Sequence, residues 1–237
     1  EELEEARQFQ LDMLPKTTPD MLNLDIAATI QTASEVGGDY YDFFPQNNGE
    51  SLYVVVGDAT GHGMTAGMMV SITKAGLYGI PPSIAPNDIT KRLNRVIKNI
   101  DLGWNRMAIN VARFWEGRVE FTSAAMPPAY HYHKDTGNVD EILLEGLPLG
   151  SFQGETFSLV DFEFKQGDSL VFISDGLPEA TNQTEHMLGY QAVQDCVKAN
   201  GHQGANDQKQ ALLDLGSAWL GELRNQDDIT IVVVKKK

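Results

Sequence analysis

The chain has 237 residues, of which 42% are apolar and 22% charged, and its formal net charge is −15 at pH 7. This composition indicates a soluble globular protein, and the negative charge argues against a surface for nucleic acid or an anionic membrane. A single cysteine, Cys196, excludes an internal disulfide and favours a reducing cytoplasmic setting, while neither a membrane-spanning run nor a signal peptide is visible.

The first predicted element is an amphipathic helix. Over residues 1–14 the apolar side chains fall on one broad face, and Pro15 ends the pattern. Such a face has to pack on the rest of the chain, on a second copy or on an upstream sensor. We expect residues 1–16 to be a linker or switch helix that pairs two copies, and residues 17–237 to form one domain.

Strands and helices then follow in blocks. About ten strands are predicted, at residues 24–33, 38–44, 51–58, 106–115, 118–124, 129–134, 139–145, 155–164, 168–175 and from 227 onwards. Helices are predicted at about 63–79, 88–100, 189–199 and 205–223, with Asp88 capping the second. Short polar turns predict hairpins between 38–44 and 51–58 and between 155–164 and 168–175. Because alternating βαβ units are absent, we expect an α+β fold with two mostly antiparallel sheets flanked by helices.

Aspartates lie at the ends of several predicted strands. Asp58 and Asp175 end strongly apolar strands, and Asp39 begins another. Asp227 and Asp228 open the last strand. If these ends meet, the carboxylates repel one another by several kcal/mol unless a cation neutralises them. Mg²⁺ and Mn²⁺ prefer oxygen ligands, and the number of carboxylates favours two ions.

Glycines accompany three of these aspartates. Gly38, Gly57 and Gly176 would let the backbone come close to an ion, so the Ala59 carbonyl is a further candidate ligand. The alternative is structural, because Asp and Gly are common in turns at strand ends. The repetition of the pattern on apolar strands favours the metal interpretation.

Five segments stand in order along the chain and carry a family resemblance. They read EVGGDYYDFF, GDATGHGMTAGMM, SAAMPPAYHYH, FISDGLPEATN and DDITIVVV. Together they resemble the bacterial branch of the PPM family of metal-dependent protein serine/threonine phosphatases, which includes the stage II E sporulation phosphatase and stress-response phosphatases. The resemblance covers residues 20–235 and implies an αββα sandwich with a dinuclear Mn²⁺ or Mg²⁺ site. By the same resemblance, residues 17–237 are the phosphatase domain.

The resemblance also implies roles for individual residues. Asp58 would bridge the two ions, and Asp39 and the Ala59 carbonyl would serve one of them. Asp175 and Asp227 would serve the other ion. The positions around these ligands would be Asp228, Gly38, Gly61, His62 and Gly176. A metal-bridging hydroxide would then attack phosphoserine or phosphothreonine directly.

Two positions depart from the family pattern. Ala59 replaces the usual glycine after the bridging aspartate, which keeps the carbonyl but reduces backbone freedom. Met126 and its preceding alanines stand where many relatives read Ala-Gly-His, so no catalytic acid is assigned there.

Three histidines leave alternatives open. His62 is either a general acid or a residue that shapes its loop, and we favour the loop role because acid–base assignments rest on geometry. His131 and His133 alternate on one strand and face the same side. Their spacing suits a metal, but a half-exposed strand face is the favoured interpretation.

The function expected from the sequence is a cytoplasmic, metal-dependent phosphoserine/phosphothreonine protein phosphatase. Its expected substrate is a phosphorylated anti-sigma-factor antagonist, a STAS domain, and its expected partners are an upstream regulatory domain and a second copy. The alternative is a weak or inactive relative that binds phosphoproteins as a signalling module. The presence of all four candidate metal-binding aspartates favours the enzyme.

Overall fold

The computed structural model describes residues 8, 11–33, 36–46, 49–81 and 83–237. The chain divides into two units, each built on one five-stranded antiparallel sheet. The first unit comprises Glu1–Thr17, Ser34–Met126 and Leu144–Glu163, and the second comprises Thr18–Ala33, Pro127–Leu143 and Phe164–Lys237. The expected α+β fold, with two antiparallel sheets flanked by helices, is confirmed.

The sheet of the first unit has the strand order β2-β3-β4-β5-β8. Its strands are β2 (Asp39–Gln46), β3 (Ser51–Ala59), β4 (Met107–Trp115), β5 (Arg118–Ala124) and β8 (Val160–Glu163). Helix α1 (Met64–Tyr78) contacts β3, and helix α2 (Pro86–Ile100) contacts β4 and β5. Residues 52–56 of β3 are all buried, as expected for an apolar strand in the middle of a covered sheet.

The sheet of the second unit has the strand order β1-β10-β9-β6-β7. Its strands are β1 (Leu24–Gln31), β6 (Ala129–Tyr132), β7 (Val139–Ile142), β9 (Ser169–Ile173) and β10 (Ile229–Lys236). Helix α3 (Tyr190–Asn200) contacts β6 and β7, and helix α4 (Ala205–Leu220) contacts β1 and β10. Tyr130, Val171 and Val233 lie in the core between this sheet and its helices.

The predicted hairpin between 38–44 and 51–58 is confirmed as the β2–β3 pair. The predicted hairpin between 155–164 and 168–175 is wrong. Strand β8 pairs with β5 in the first unit, whereas β9 pairs with β10 and β6 in the second. The turn between them does form, with the Asp168 amide donating to the Lys165 carbonyl over 3.0 Å, but it joins two sheets.

Two further predictions concern helix ends. Helix α2 begins at Pro86 after Ala85, so the prediction that Asp88 caps it is wrong; Pro is well suited to the first helical turn, and Asp88 lies inside that turn. The predicted N-terminal helix falls largely outside the described residues, although residues 11–13 are helical. Within the described part of the chain, no helix is both long enough and apolar enough to cross a membrane.

Candidate functional site

The first carboxylate pair lies in the first unit, where Asp39 faces Asp58 across the β2–β3 ladder. Asp39 is only 2% exposed, and Asp58 is half-buried. Residues directly opposite each other on antiparallel strands project from the same face, with Cβ atoms about 4.5–5.5 Å apart. The strand register therefore holds two carboxyl groups side by side at one end of an apolar strand pair.

Backbone oxygens lie close to this pair. The Ala59 amide donates to the Gly38 carbonyl over 2.9 Å. A Cβ atom at Gly38 would lie 2.6 Å from the Ala59 carbonyl oxygen, 3.1 Å from that of Gly61 and 3.4 Å from Asp58 Oδ1. Only glycine fits there without a shift, and its missing side chain lets three oxygens gather around one point.

The loop after Asp58 connects β3 to α1. Gly61 and Gly63 both have φ values of +81°, which glycine adopts without strain. The Gly63 amide donates to the Val36 carbonyl over 2.8 Å and ties the loop to the segment before β2. His62 is exposed on this loop. Whether it shapes the loop or acts as a general acid stays a prediction.

The second carboxylate pair lies in the second unit, where Asp175 follows β9 and Asp227 precedes β10. Burial, together with the charges of Asp227 and Glu179, raises the pKa of Asp175 to about 6. Asp175 is half-buried and Asp227 is exposed. The charge of Asp227 thus lies close enough to oppose the ionisation of Asp175.

Asp228 has a different environment from its neighbour. Its side chain is buried, and Oδ1 accepts the Ala33 amide hydrogen over 2.8 Å. Asp227 Oδ1 accepts the Asp228 amide hydrogen over 2.8 Å. A Cβ atom at Gly176 would lie 2.1 Å from the Asp228 carbonyl oxygen, so the chain after Asp175 also requires glycine. Asp228 and Gly176 therefore support the position of the second pair.

A buried ion pair in the first unit was not predicted from the sequence. Lys74 of α1 lies 2.7 Å from Asp42 of β2, and Tyr40 donates its hydroxyl hydrogen to the same carboxylate over 2.7 Å. Burial raises the pKa of Tyr40, as does the charge of Asp42. Lys74 is the only charged residue of α1, and a lone charge in such a helix was the signal in the sequence that could have indicated a buried partner.

One of the two alternating histidines, His131, is more buried than predicted, whereas His133 is partly exposed. His131 is 3% exposed, so the favoured interpretation of a half-exposed strand face is wrong for this residue. Its Nε2 lies 3.3 Å from Oδ2 of Asp168, a buried residue that immediately precedes β9 and was not singled out from the sequence. Burial lowers the pKa of His131, and the nearby His133 lowers it further, against the opposing effect of Asp168.

Comparison with known proteins gives a consistent set of relatives. Residues 48–237 match the family described as Stage II sporulation protein E (SpoIIE). Phosphoserine phosphatase RsbU of Bacillus subtilis (strain 168) is 27% identical over 240 residues, which covers all of this chain and 70% of RsbU.

Solved structures share the fold. The SiaA-PP2C domain of Pseudomonas aeruginosa superposes with a TM-score of 0.85 at 20% identity, covering 99% of this chain and 94% of that domain. RsbX, solved in complex with magnesium, has a TM-score of 0.72 at 12% identity and covers 93% of this chain and 99% of RsbX. At these identities the structural similarity shows a common fold.

Proposed function

Because this chain belongs to the Stage II sporulation protein E (SpoIIE) family, we propose that it is a metal-dependent protein phosphatase acting on phosphoserine or phosphothreonine. One observation carries the proposal: Asp39 and Asp58 face each other in register, with the Ala59 carbonyl beside them. The similarity to RsbU, which is named a phosphoserine phosphatase, supports the same activity.

The donor atoms of the first pair fit a hard divalent cation. Two carboxylates and the Ala59 carbonyl offer only oxygen, which Mg²⁺ and Mn²⁺ prefer. The space left by Gly38 lets these oxygens approach one point. The magnesium found with RsbX is consistent with this choice of ion. We assign Asp39, Asp58 and the Ala59 carbonyl as ligands of one Mn²⁺ or Mg²⁺.

The second pair also fits a cation. The pKa of Asp175 is raised to about 6, first by burial and then by the charge of Asp227. A divalent ion between two such carboxylates would relieve their repulsion and favour the ionised forms. We assign Asp175 and Asp227 to a second ion of the same type, while Asp228 holds the adjoining backbone through Ala33.

When bound, such ions activate a water molecule as the nucleophile and neutralise charge on phosphoryl oxygens. The protein contributes fixed positions for the ligands. Asp39 and Asp58 are held by the β2–β3 ladder, and Asp175 lies two residues after the end of β9. The loop at 60–62 is exposed and has two small residues beside His62.

The substrate and partners are proposed from the family. A phosphorylated STAS-type anti-sigma-factor antagonist is the substrate that the resemblance to stress-response phosphatases supports. The N-terminal segment is proposed to pair two copies and to receive an upstream regulatory domain. Within the first unit, Leu14 is buried, and the Met13 carbonyl accepts a hydrogen bond from Lys74. We place this activity in the cytoplasm.

The proposal is tested by phosphatase turnover on a phosphoserine protein, with Mn²⁺ and with EDTA. Asp58→Asn should lower the Mn²⁺-dependent rate by at least about 100-fold, because even partners outside the ligand set cost 10–100-fold. Asp88→Asn changes an exposed aspartate of the same unit and should retain the wild-type rate.

Two results would contradict the enzyme. Full activity of Asp58→Asn would remove the metal-ligand assignment. Wild-type protein that binds the phosphoprotein but releases no phosphate with Mn²⁺ or Mg²⁺ would instead indicate a signalling module without catalysis.

A further inference from the structure

Three side chains of the second unit gather on one face of its sheet, and they lie outside the ligand pairs assigned above. His131, His133 and Asp168 each offer a ligand atom, and these atoms all lie within 4.8 Å of one another. Among the residues that the structure describes, they form the only such group of three. We name them the His–His–Asp group.

The strand register explains why these residues meet. His131 and His133 are two positions apart on an extended segment, so their side chains share a face. Leu170 and Ser169 of β9 pair with His131 and Tyr132, and continuing this register places Asp168 beside His133. On the other side of β6, Asp140 pairs with His131.

We propose that the His–His–Asp group binds one divalent late transition-metal ion, Zn²⁺ in particular. Two imidazoles and one carboxylate are a donor set that Zn²⁺ accepts readily, with water completing a tetrahedron. Imidazole nitrogen is a softer donor than the oxygens preferred by Mg²⁺, so this group selects a different class of ion from the aspartate pairs.

The separation of the two buried members agrees with a shared ion. His131 Nε2 and Asp168 Oδ2 are 3.3 Å apart. Two ligand atoms about 2.0–2.1 Å from a tetrahedral Zn²⁺ are about 3.4 Å from each other. A typical N–H···O hydrogen bond is shorter, with its most common length at about 2.9–3.0 Å.

Asp168 is oriented before any ion binds. Its carboxylate is buried, and its two oxygens accept backbone amide hydrogens from Lys134 and Lys165, each over 2.9 Å. Hydrogen bonds of this kind fix the direction of a metal-binding carboxylate. The backbone therefore holds this carboxylate in position before an ion binds.

His133 provides the accessible side of the group. Its ring centroid lies 4.0 Å from that of His131, and its side chain is 27% exposed. Asp140 Oδ2 lies 2.8 Å from His133 Nε2, the kind of outer carboxylate contact that orients a metal-binding imidazole. An ion can therefore reach the group from the side of His133.

The test titrates the metal-stripped full chain with Zn²⁺ by calorimetry and with Co²⁺ by visible absorption. With Mg²⁺ in excess to occupy the aspartate pairs, wild-type protein should bind Zn²⁺ at the His–His–Asp group and should give the intense Co²⁺ bands of a four-coordinate site. His133→Ala should weaken this binding by at least about tenfold. His202→Ala, which removes an exposed histidine of the same unit, should bind as the wild type does.

A second pair of variants separates this inference from the proposed function. Asp175→Asn should retain the Co²⁺ bands, because its carboxylate belongs to the other ligand set. His133→Gln keeps a hydrogen-bonding side chain beside Asp140 and serves if His133→Ala does not fold. Zn²⁺ affinity and stoichiometry equal to wild type in the folded His133 variant would overturn the site, whatever the phosphatase activity.

Discussion

Asp39 and Asp58 occupy directly opposed positions on strands β2 and β3, so the backbone ladder sets their separation. A shift of one residue in this register would send one carboxylate to the other face of the sheet. The same ladder holds residues 52–56 in the buried interior of the sheet. Burial of the apolar strand and the alignment of the two carboxylates are therefore one structural constraint.

Gly38→Ala should damage the first carboxylate pair without removing any ligand. The added Cβ atom would lie 2.6 Å from the Ala59 carbonyl oxygen, so strand or loop must move. We expect a loss of about 1–3 kcal/mol in the free energy of unfolding, as for other overpacked sites. Urea unfolding measures this loss, and Mn²⁺-dependent turnover should fall with it.

Gly146→Ala is the matched control in the same unit. Its Cβ atom would meet its nearest neighbour at 3.6 Å, an ordinary contact. The two variants should therefore differ in both stability and activity. Equal effects would show that the close approach at Gly38 does not make its substitution more destabilising.

Lys74→Met should destabilise the first unit. Asp42 would keep its hydrogen bonds from Tyr40 and from the Phe43 amide but would lose its charged partner in a buried position. Breaking a buried ion pair in this way costs about 3 kcal/mol. Chemical denaturation of wild type and variant at pH 7 measures the difference.

The exposed pair between Arg118 and Asp161 is the control for Lys74. Both of these side chains are at least 40% exposed, so solvent screens the pair and Arg118→Met should leave the free energy of unfolding little changed. A loss as small for Lys74→Met would mean that solvent already screens Asp42.

Asp175→Asn should stabilise the metal-free protein above pH 6. The folded-state pKa of Asp175 is about 6, above the ordinary value of 3.8. Between these values the folded state binds more protons than the unfolded state, so this group's contribution to stability falls as pH rises. At pH 7.5 in EDTA we expect a gain of roughly 1 kcal/mol, discounted for partial exposure.

The pH dependence of the gain distinguishes the effect of Asp175 ionisation from a general change in stability. The gain, about 2–4 °C in Tm for a domain of this size, should shrink towards pH 5, where wild-type Asp175 is protonated. Added Mn²⁺ should reverse the order by stabilising the wild type more. Asp195→Asn, at an exposed position on α3, should show neither behaviour, and an identical profile would refute the prediction.

Removal of residues 1–16 should convert a dimer into a monomer if the N-terminal segment pairs two copies. Leu14 is buried, and Met13 is held by Lys74 and by the Ser71 hydroxyl. The segment thus has an anchored end from which a pairing helix could extend. Light scattering of both proteins measures the mass, and an unchanged mass after truncation would end the dimer hypothesis.

The sequence predicts local relationships well where a turn fixes them. The hairpin of β2 and β3 follows from its apolar strands and polar turn, and it places Asp39 near Asp58. The partners of β8 and β9 could not be predicted in this way. Their connecting turn is equally tight, but non-local pairing assigns β8 to β5 and β9 to β10.

Periodicity also has a limit in the second unit. It correctly groups His131 with His133 on one face, but it does not say whether that face is covered. Tyr130 packs in the core on the opposite face, and His131 is buried as well, so the strand is covered on both sides. The ion pair of Lys74 could not be predicted either, because its partner Asp42 lies far away in the sequence.

The pairing of the first and last strands has a consequence for synthesis of the chain. Leu24 pairs with Lys236, and β10 lies between β1 and β9. Ribosomes add roughly 5–20 residues per second, so β10 is synthesised on the order of ten seconds or more after β1. Until then β1 and β9 both expose unpaired edges, which attract other strands. A nascent chain that stalls before Ile229 would therefore be prone to aggregation through these two strands.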